Sequence, residues 1–200
     1  RSIVLDVKTG SGAFMKTREQ AEALAKEMVS IGKSFGRNMA AVITNMDEPL
    51  GYAVGNSLEV IEAVRVLKGE GIGDLREICV YLSVQMLSLC FGWDEDHAKE
   101  RVIDAIDSGR AFEQMKKWVS AQGGDPKWLE NTELFPKAPY VTKFRAVSDG
   151  FISRINAEKI GIASCVSGAG RTKKDDIIDM AAGIVLAHKT GDSVKKGETL

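Results

Sequence analysis

The strongest constraint on the fold of this chain is a pair of apolar segments, residues 2–7 and 39–44, with one helical pattern between them. Short apolar runs bounded by turn residues are typical of buried strands. The intervening helix is predicted to begin after Thr17, with Gln20 in the capping-box position. Two strands joined by one helix form a βαβ crossover, whose strands are parallel and covered on both faces. The sequence therefore predicts an α/β fold with a parallel-sheet core and covering helices.

Further helical patterns follow the second strand. Two of them begin with pairs at capping-box spacing: Asn56 with Glu59, and Asp74 with Glu77. Two more amphipathic stretches cover residues 98–106 and 110–121. We therefore interpret residues 1–130 as part of one α/β domain.

From about Tyr140 the pattern changes to short β-like runs separated by glycine-containing turns. The runs are TKFRAV, GFISRI, ASCVS and IVLAHK. Residues 131–200 are predicted to form a smaller, β-rich α+β domain of barrel-sandwich type, after a loop around residues 126–139. The final TGDSVKKGETL alternates like the rim of a hairpin and stops at a leucine, so we expect this domain to be truncated.

Composition and charge exclude several classes of function. With 44% hydrophobic and 28% charged residues, the chain has ample apolar material for a core. A net charge of -1 gives no electrostatic reason to expect a nucleic acid or an anionic membrane as partner. No apolar run approaches the roughly 18 residues that span a bilayer. Cys79, Cys90 and Cys165 stand apart in apolar stretches, which predicts buried thiols in a reducing cytoplasm.

The first loop that could bind a ligand follows the first predicted strand. It contains Gly10 and Gly12, and Phe14 stands just after them. The position lies at the carboxyl end of a parallel strand, where ligands of α/β proteins bind. The GSG spacing matches neither of the established glycine-rich phosphate motifs. On the residues alone, a structural turn and a ligand loop are both compatible with this segment.

The second loop, PLGYAVG, has the ingredients of a cation site. Leu50 and Ala53 lie in a turn-rich stretch whose carbonyls cannot all be paired locally, and Glu62 lies on the helix that follows. Backbone carbonyls together with a carboxylate oxygen can enclose a hard cation. The alternative is that Glu62 simply faces solvent on an amphipathic helix.

Three stretches of the sequence together resemble one enzyme family. They are DVKTGSGAFMKT, TNMDEPLGYAVGNSLEVIEAV and the C-terminal segment that contains GAGR ahead of Asp176 and Asp179. This combination resembles the pyrimidine-nucleoside and thymidine phosphorylases over essentially the whole chain. The resemblance implies that the chain is a C-terminal fragment lacking the N-terminal helical domain.

The resemblance also implies roles for four residues. A monovalent cation, potassium, would be bound by the carbonyls of Leu50 and Ala53 and by the carboxylate of Glu62, and Phe14 would approach the pyrimidine. No organic cofactor is expected. The residues that hold phosphate and base would precede Arg1, so no catalytic residue is assigned within this chain.

The implied activity is that of a pentosyltransferase. The full enzyme would reversibly phosphorolyse uridine, thymidine or deoxyuridine to the free base and a (deoxy)ribose 1-phosphate in pyrimidine salvage. It would work in the cytoplasm as a homodimer, with nucleoside and phosphate as partners and with neither nucleic acid nor membrane. The fragment alone is expected to be inactive.

Two alternatives remain open on the sequence. One is a related phosphorolytic or phosphoribosyl transferase on the same scaffold. The other is a carrier module, because GDSVKKGETL resembles the first hairpin of biotinyl and lipoyl domains. Such a carrier needs a lysine at a later tight turn, and the sequence contains no MKM or DKA arrangement for it.

Overall fold

The computed structural model describes residues 1–70 and 73–200. The elements, in chain order, are β1 Ser2–Thr9, α1 Arg18–Ser34, β2 Asn38–Asn45, β3 Ala53–Val54, α2 Asn56–Leu67, α3 Gly73–Phe91, α4 Glu95–Asp107, α5 Arg110–Ala121, α6 Lys127–Glu130, a 3₁₀ turn Thr132–Leu134, β4 Gly150–Phe151, α7 Ala157–Ser164, a π-type turn Cys165–Ala169, β5 Ile184–Val185 and β6 Ser193–Val194. The chain is thus a mixed α/β structure with short sheets. Among the helices of these two ranges, none is long and apolar enough to cross a membrane.

The predicted crossover is present. Strands β1 and β2 pair in parallel, in a continuous register from Ser2 opposite Asn38 to Thr9 opposite Asn45. Val7, Ala21 and Ala25 form a buried cluster between β1 and α1. Helix α3 also packs against both strands. The sequence prediction of neighbouring parallel strands, with a helix packed on them, is confirmed.

The start of α1 is fixed by reciprocal hydrogen bonds between Thr17 and Gln20. The Thr17 side chain accepts from the Gln20 N–H at 3.3 Å, and Gln20 Oε1 accepts from the Thr17 N–H at 3.3 Å. Gln20 Oε1 also accepts from the Lys16 N–H at 2.9 Å. These bonds satisfy amides that have no partner inside the helix, and they confirm the predicted capping box.

The starts of the next two helices differ from the prediction. Gly55, not Asn56, is the N-cap of α2, and the Glu59 side chain accepts from the Gly55 N–H at 2.9 Å. Asn56 is the first residue of the helix, and its side-chain amide nitrogen donates to the Ala169 carbonyl at 2.7 Å, a tertiary contact that its local sequence does not reveal. Asp74 lies inside the first turn of α3 instead of preceding it.

The second half of the chain has less strand than the sequence predicted. The ASCVS run, predicted as β-like, forms the end of α7 and the π-type turn. The Asn156 side chain caps α7 by accepting from the Lys159 N–H at 2.9 Å, and this bond stabilises the helical conformation of the segment. GFISRI and IVLAHK each contain only a two-residue strand, β4 and β5. The predicted domain boundary near residue 130 stays a prediction.

A close backbone contact joins the two halves of the chain. Strand β5 pairs antiparallel with β3, with Ala53 opposite Val185. A Cβ at Gly55 would lie 2.6 Å from the Ala182 carbonyl oxygen, and one at Gly183 would lie 2.6 Å from the Val54 carbonyl oxygen. Only glycine at these two positions allows the backbones to approach so closely.

The predicted burial of the cysteines is wrong for two of the three. Cys79 and Cys90 are exposed on α3, and Cys165 is half-buried. Helix α3 carries apolar residues around its whole circumference, and Tyr81, Met86 and Phe91 are exposed as well. An apolar neighbourhood in the sequence therefore does not identify the buried face of this helix.

The capping box gives a first prediction. Thr17→Ala should lower the free energy of unfolding by about 1 kcal/mol, because the Gln20 amide loses its acceptor. Thr17→Ser keeps the hydroxyl and should stay close to the unsubstituted chain. Urea unfolding followed by circular dichroism would measure both; equal destabilisation by Ala and Ser would contradict the capping role.

Candidate cation loop and its surroundings

The loop between β1 and α1 is tied to the end of β2. Ser11 donates its N–H to Asp47 Oδ1 and its hydroxyl to the Asp47 carbonyl, both at 2.9 Å. Gly12 N–H donates to the Met46 carbonyl at 2.8 Å. Gly10 has a φ of +117°, and a Cβ there would come within 2.7 Å of the Asp47 nitrogen. The glycines therefore serve a structural turn.

Phe14 projects from this tied loop into solvent. Its residue exposure is 97%, although the neighbouring Ala13 is buried. The structure thus places the aromatic ring predicted to approach the base at the carboxyl edge of β1, on a loop whose backbone is held by hydrogen bonds. An exposed aromatic ring on a constrained loop is available to a ligand.

Glu62 is the central residue of the second loop, residues 48–55, which we call the cation loop. Its residue exposure is only 6%. Oε1 accepts from the Tyr52 N–H at 2.7 Å, and Oε2 accepts from the Ala53 N–H at 3.2 Å. The alternative in which Glu62 faces solvent is therefore wrong. The carboxylate faces the loop that contains Leu50 and Ala53.

The chain at Tyr52 and Ala53 is bonded both to the segment after β5 and to Glu62. Leu186 N–H donates to the Tyr52 carbonyl at 2.8 Å, whereas the Tyr52 N–H donates to Glu62. The Ala53 N–H also donates to Glu62. Leu50 precedes Gly51, whose φ of +70° turns the chain into this strand.

Several carboxylates surround Tyr52 in the cation loop. Burial raises the pKa of the Tyr52 hydroxyl, and four nearby carboxylates raise it further: Asp192, Asp74, Glu48 and Glu62. Among the described residues, no three His, Cys, Asp or Glu side chains are grouped in a way that would hold a metal ion. A cation at this loop would therefore depend on backbone carbonyls together with Glu62.

The donor set suits a hard cation. A buried carboxylate is costly unless its charge is compensated, and the two N–H groups use only part of the acceptor capacity of Glu62. Carboxylate and carbonyl oxygens are the ligands that hard cations prefer. The residues at this loop thus fit the potassium ion that the sequence resemblance implied.

Sequence reasoning missed two charged residues beside the cation loop. The Lys189 ammonium donates to the Pro49 carbonyl and to Asp74 Oδ2, the latter at 3.0 Å. These partners are 140 and 115 residues away in sequence, so no local motif could have revealed them.

Comparison with known proteins defines the class of this chain. Residues 151–200 match the family model described as pyrimidine nucleoside phosphorylase C-terminal domain. Over all 200 residues the chain is 49% identical to a pyrimidine-nucleoside phosphorylase of Staphylococcus epidermidis and 48% identical to one of Staphylococcus aureus. The chain is covered completely and spans 46% of the length of each relative. This similarity over the whole chain confirms the resemblance to the pyrimidine-nucleoside phosphorylases that its motifs predicted.

Two glycines offer a matched test of the Glu62 position. Gly51 and Gly36 have similar left-handed φ values, +70° and +66°, but only at Gly51 would a Cβ overlap the Glu62 carboxylate. Backbone strain should lower the free energy of unfolding by about 1 kcal/mol in both alanine variants. Gly51→Ala should lower it by about 2 kcal/mol more, because the added methyl group displaces the hydrogen bonds to the Glu62 carboxylate. Equal midpoints in urea unfolding would show that the Glu62 contact contributes nothing.

Proposed function

We propose that this chain is part of a pyrimidine-nucleoside phosphorylase. The enzyme transfers a pentosyl group, converting uridine, thymidine or deoxyuridine and phosphate reversibly to the free base and a (deoxy)ribose 1-phosphate. The observation that carries the proposal is the 49% identity to a pyrimidine-nucleoside phosphorylase, which extends over all 200 residues. The nucleoside and phosphate are the partners, and the setting is pyrimidine salvage.

The chemistry expected of such an enzyme is electrostatic. Phosphate attacks the anomeric carbon through an oxocarbenium-like transition state, and the departing base takes the electron pair of the glycosidic bond. Positive charge near the base stabilises the leaving anion, and closure of the site excludes water. Within this chain, Phe14 is the residue proposed to contact the pyrimidine, an assignment supported by its exposure at the edge of β1.

The cation loop is proposed to bind potassium. The ligands from this chain are the carbonyl oxygens of Leu50 and Ala53 and a carboxylate oxygen of Glu62. The burial of Glu62 against the loop supports this assignment. Bound there, the ion would neutralise the carboxylate and fix the loop at the edge of the α/β domain.

The proposal extends to the assembly around this chain. Strands β1 and β2 are proposed to belong to a wider parallel sheet with covering helices. The exposed apolar side chains of α3 support this, since a helix that is apolar all round is normally covered. Cys79, Cys90 and Cys165 are all free thiols, which suits a reducing cytoplasm. We include the homodimer in the proposal on the family resemblance alone.

A chimaeric enzyme tests the activity. This chain would replace the aligned region of the Staphylococcus epidermidis phosphorylase, and release of uracil and thymine from their nucleosides would be measured with and without phosphate. We expect phosphate-dependent release at a rate within about tenfold of an ordinary enzyme turnover of roughly 10 per second. The isolated chain and the unmodified relative are assayed in parallel. A folded chimaera that releases base only by hydrolysis, or not at all, would contradict the proposal.

Glu62 tests the cation site in the same chimaera. Glu62→Ala should weaken potassium activation by about tenfold or more, because the only charged ligand from this chain is removed. Glu62→Gln keeps one neutral oxygen ligand and should be milder. Activity is measured across a potassium titration at constant ionic strength, with sodium as the balancing ion. Unchanged potassium dependence in Glu62→Ala would remove the site from the proposal.

A further inference from the structure

We propose that Lys189 is a positioning residue for the cation loop. Its ammonium restrains the loop through contacts other than those of Glu62, so that the C-terminal segment helps to set the geometry of the cation ligands. This inference rests on the proposed function where it concerns potassium. The restraint itself is a property of the loop and can be tested without the ion.

Lys189 is held among oxygen atoms and one aromatic ring. Its side chain is only 12% exposed. The ammonium donates to the Pro49 carbonyl and to Asp74 Oδ2, and it lies 5.3 Å from the centre of the Tyr52 ring. Cation–π contact adds to hydrogen bonding when a lysine is partly desolvated. The ammonium therefore joins the beginning of the cation loop to the first turn of α3.

Asp74 transmits this contact to the middle of the loop. Its Oδ2 accepts from Lys189, and its Oδ1 accepts from the Gly51 N–H at 3.1 Å. The next two amides, those of Tyr52 and Ala53, donate to Glu62. The carboxylates of Asp74 and Glu62 thus accept from three consecutive N–H groups. The directions of the intervening carbonyls depend on both carboxylates staying in place.

Hydrogen bonds hold the C-terminal segment that carries Lys189. The Lys189 N–H donates to Asp192 Oδ2 at 2.7 Å, which closes the turn that carries the side chain. The Thr190 N–H donates to Glu48 Oε2 at 3.0 Å, and Leu186 N–H donates to the Tyr52 carbonyl at 2.8 Å. The backbone around Lys189 is therefore already bonded to the cation loop. Forming the ammonium contacts then costs little additional conformational entropy.

Loss of the ammonium would leave two oxygens without their partner. The Asp74 carboxylate would keep its backbone donors but lose its counter-ion, and the Pro49 carbonyl would lose its donor. Removing one partner of a charged, partly buried hydrogen bond generally costs more than the bond contributes when intact. The segment from Pro49 to Ala53 should then open more often.

Hydrogen exchange of the full 200-residue chain in potassium-free buffer tests the restraint. Lys189→Met removes the charge and keeps most of the side-chain length. The amides of Gly51, Tyr52 and Ala53 should exchange about tenfold faster or more in this variant. Lys196→Met is the matched control, because Lys196 is exposed in the same segment and is bonded through its backbone N–H. Unchanged exchange at the three amides in Lys189→Met would overturn the proposal.

Asp74→Asn provides an independent variant if Lys189→Met does not fold. It keeps an oxygen for the Gly51 amide but removes the charge that holds Lys189. Exchange should again accelerate by several-fold, and combining Asp74→Asn with Lys189→Met should give less than the product of the separate effects. Multiplicative effects would show that the two residues act independently, against the proposal.

A potassium titration separates the two proposals. In the chimaeric enzyme, potassium should slow exchange of the Tyr52 and Ala53 amides, and Lys189→Met should raise the potassium concentration needed by several-fold. Absence of any potassium effect in the chimaera without Lys189→Met would refute the cation site, whereas the potassium-free comparison would still test the restraint by Lys189. Equal potassium midpoints in both proteins would show that Lys189 has no influence on cation binding.

Discussion

The geometry of the candidate site depends on the buried carboxylate of Glu62. A charge that is only 6% exposed must be compensated inside the protein, and the amides of Tyr52 and Ala53 do this directly. Those two amides can reach Glu62 only because Gly51 turns the chain with a left-handed φ and has no Cβ in the way. Helix α2, the cation loop and strand β3 are thereby fixed to one another. The pairing of β3 with β5 then brings the C-terminal segment to the same place.

Features governed by local interactions could be predicted from the sequence. The capping box of Thr17 and Gln20 involves neighbours in the chain, and the parallel pairing of β1 with β2 follows from one helix between two apolar runs. The prediction failed where a distant contact overrides a local preference. Asn56 has the residue type and spacing of a cap, but its side chain bonds to Ala169. ASCVS consists of small residues that suit a strand or a helix end equally. The Asn156 cap upstream stabilises the helix that ends in this segment.

The part of the candidate site that lies in one contiguous stretch was predictable from the sequence, and the part formed by distant residues was not. Leu50, Ala53 and Glu62 came from the resemblance of a contiguous stretch to a known family, and the structure shows that Glu62 does face the loop. Its burial could not be read from helical periodicity, because a carboxylate on an amphipathic helix normally faces water. The contact of Lys189 with Asp74 was missed, because the two residues are 115 positions apart and Asp74 was recognised only as a helix cap. Their pairing is a product of the tertiary fold.

The glycine contact between β3 and β5 bears on how such a chain can be recombined. Gly55 and Gly183 approach closely through their backbones, so this junction requires that neither position carries a side chain. A C-terminal segment exchanged between homologues would therefore need its own glycine there to dock at this point. The same contact would reject a donor segment with any larger residue at that position.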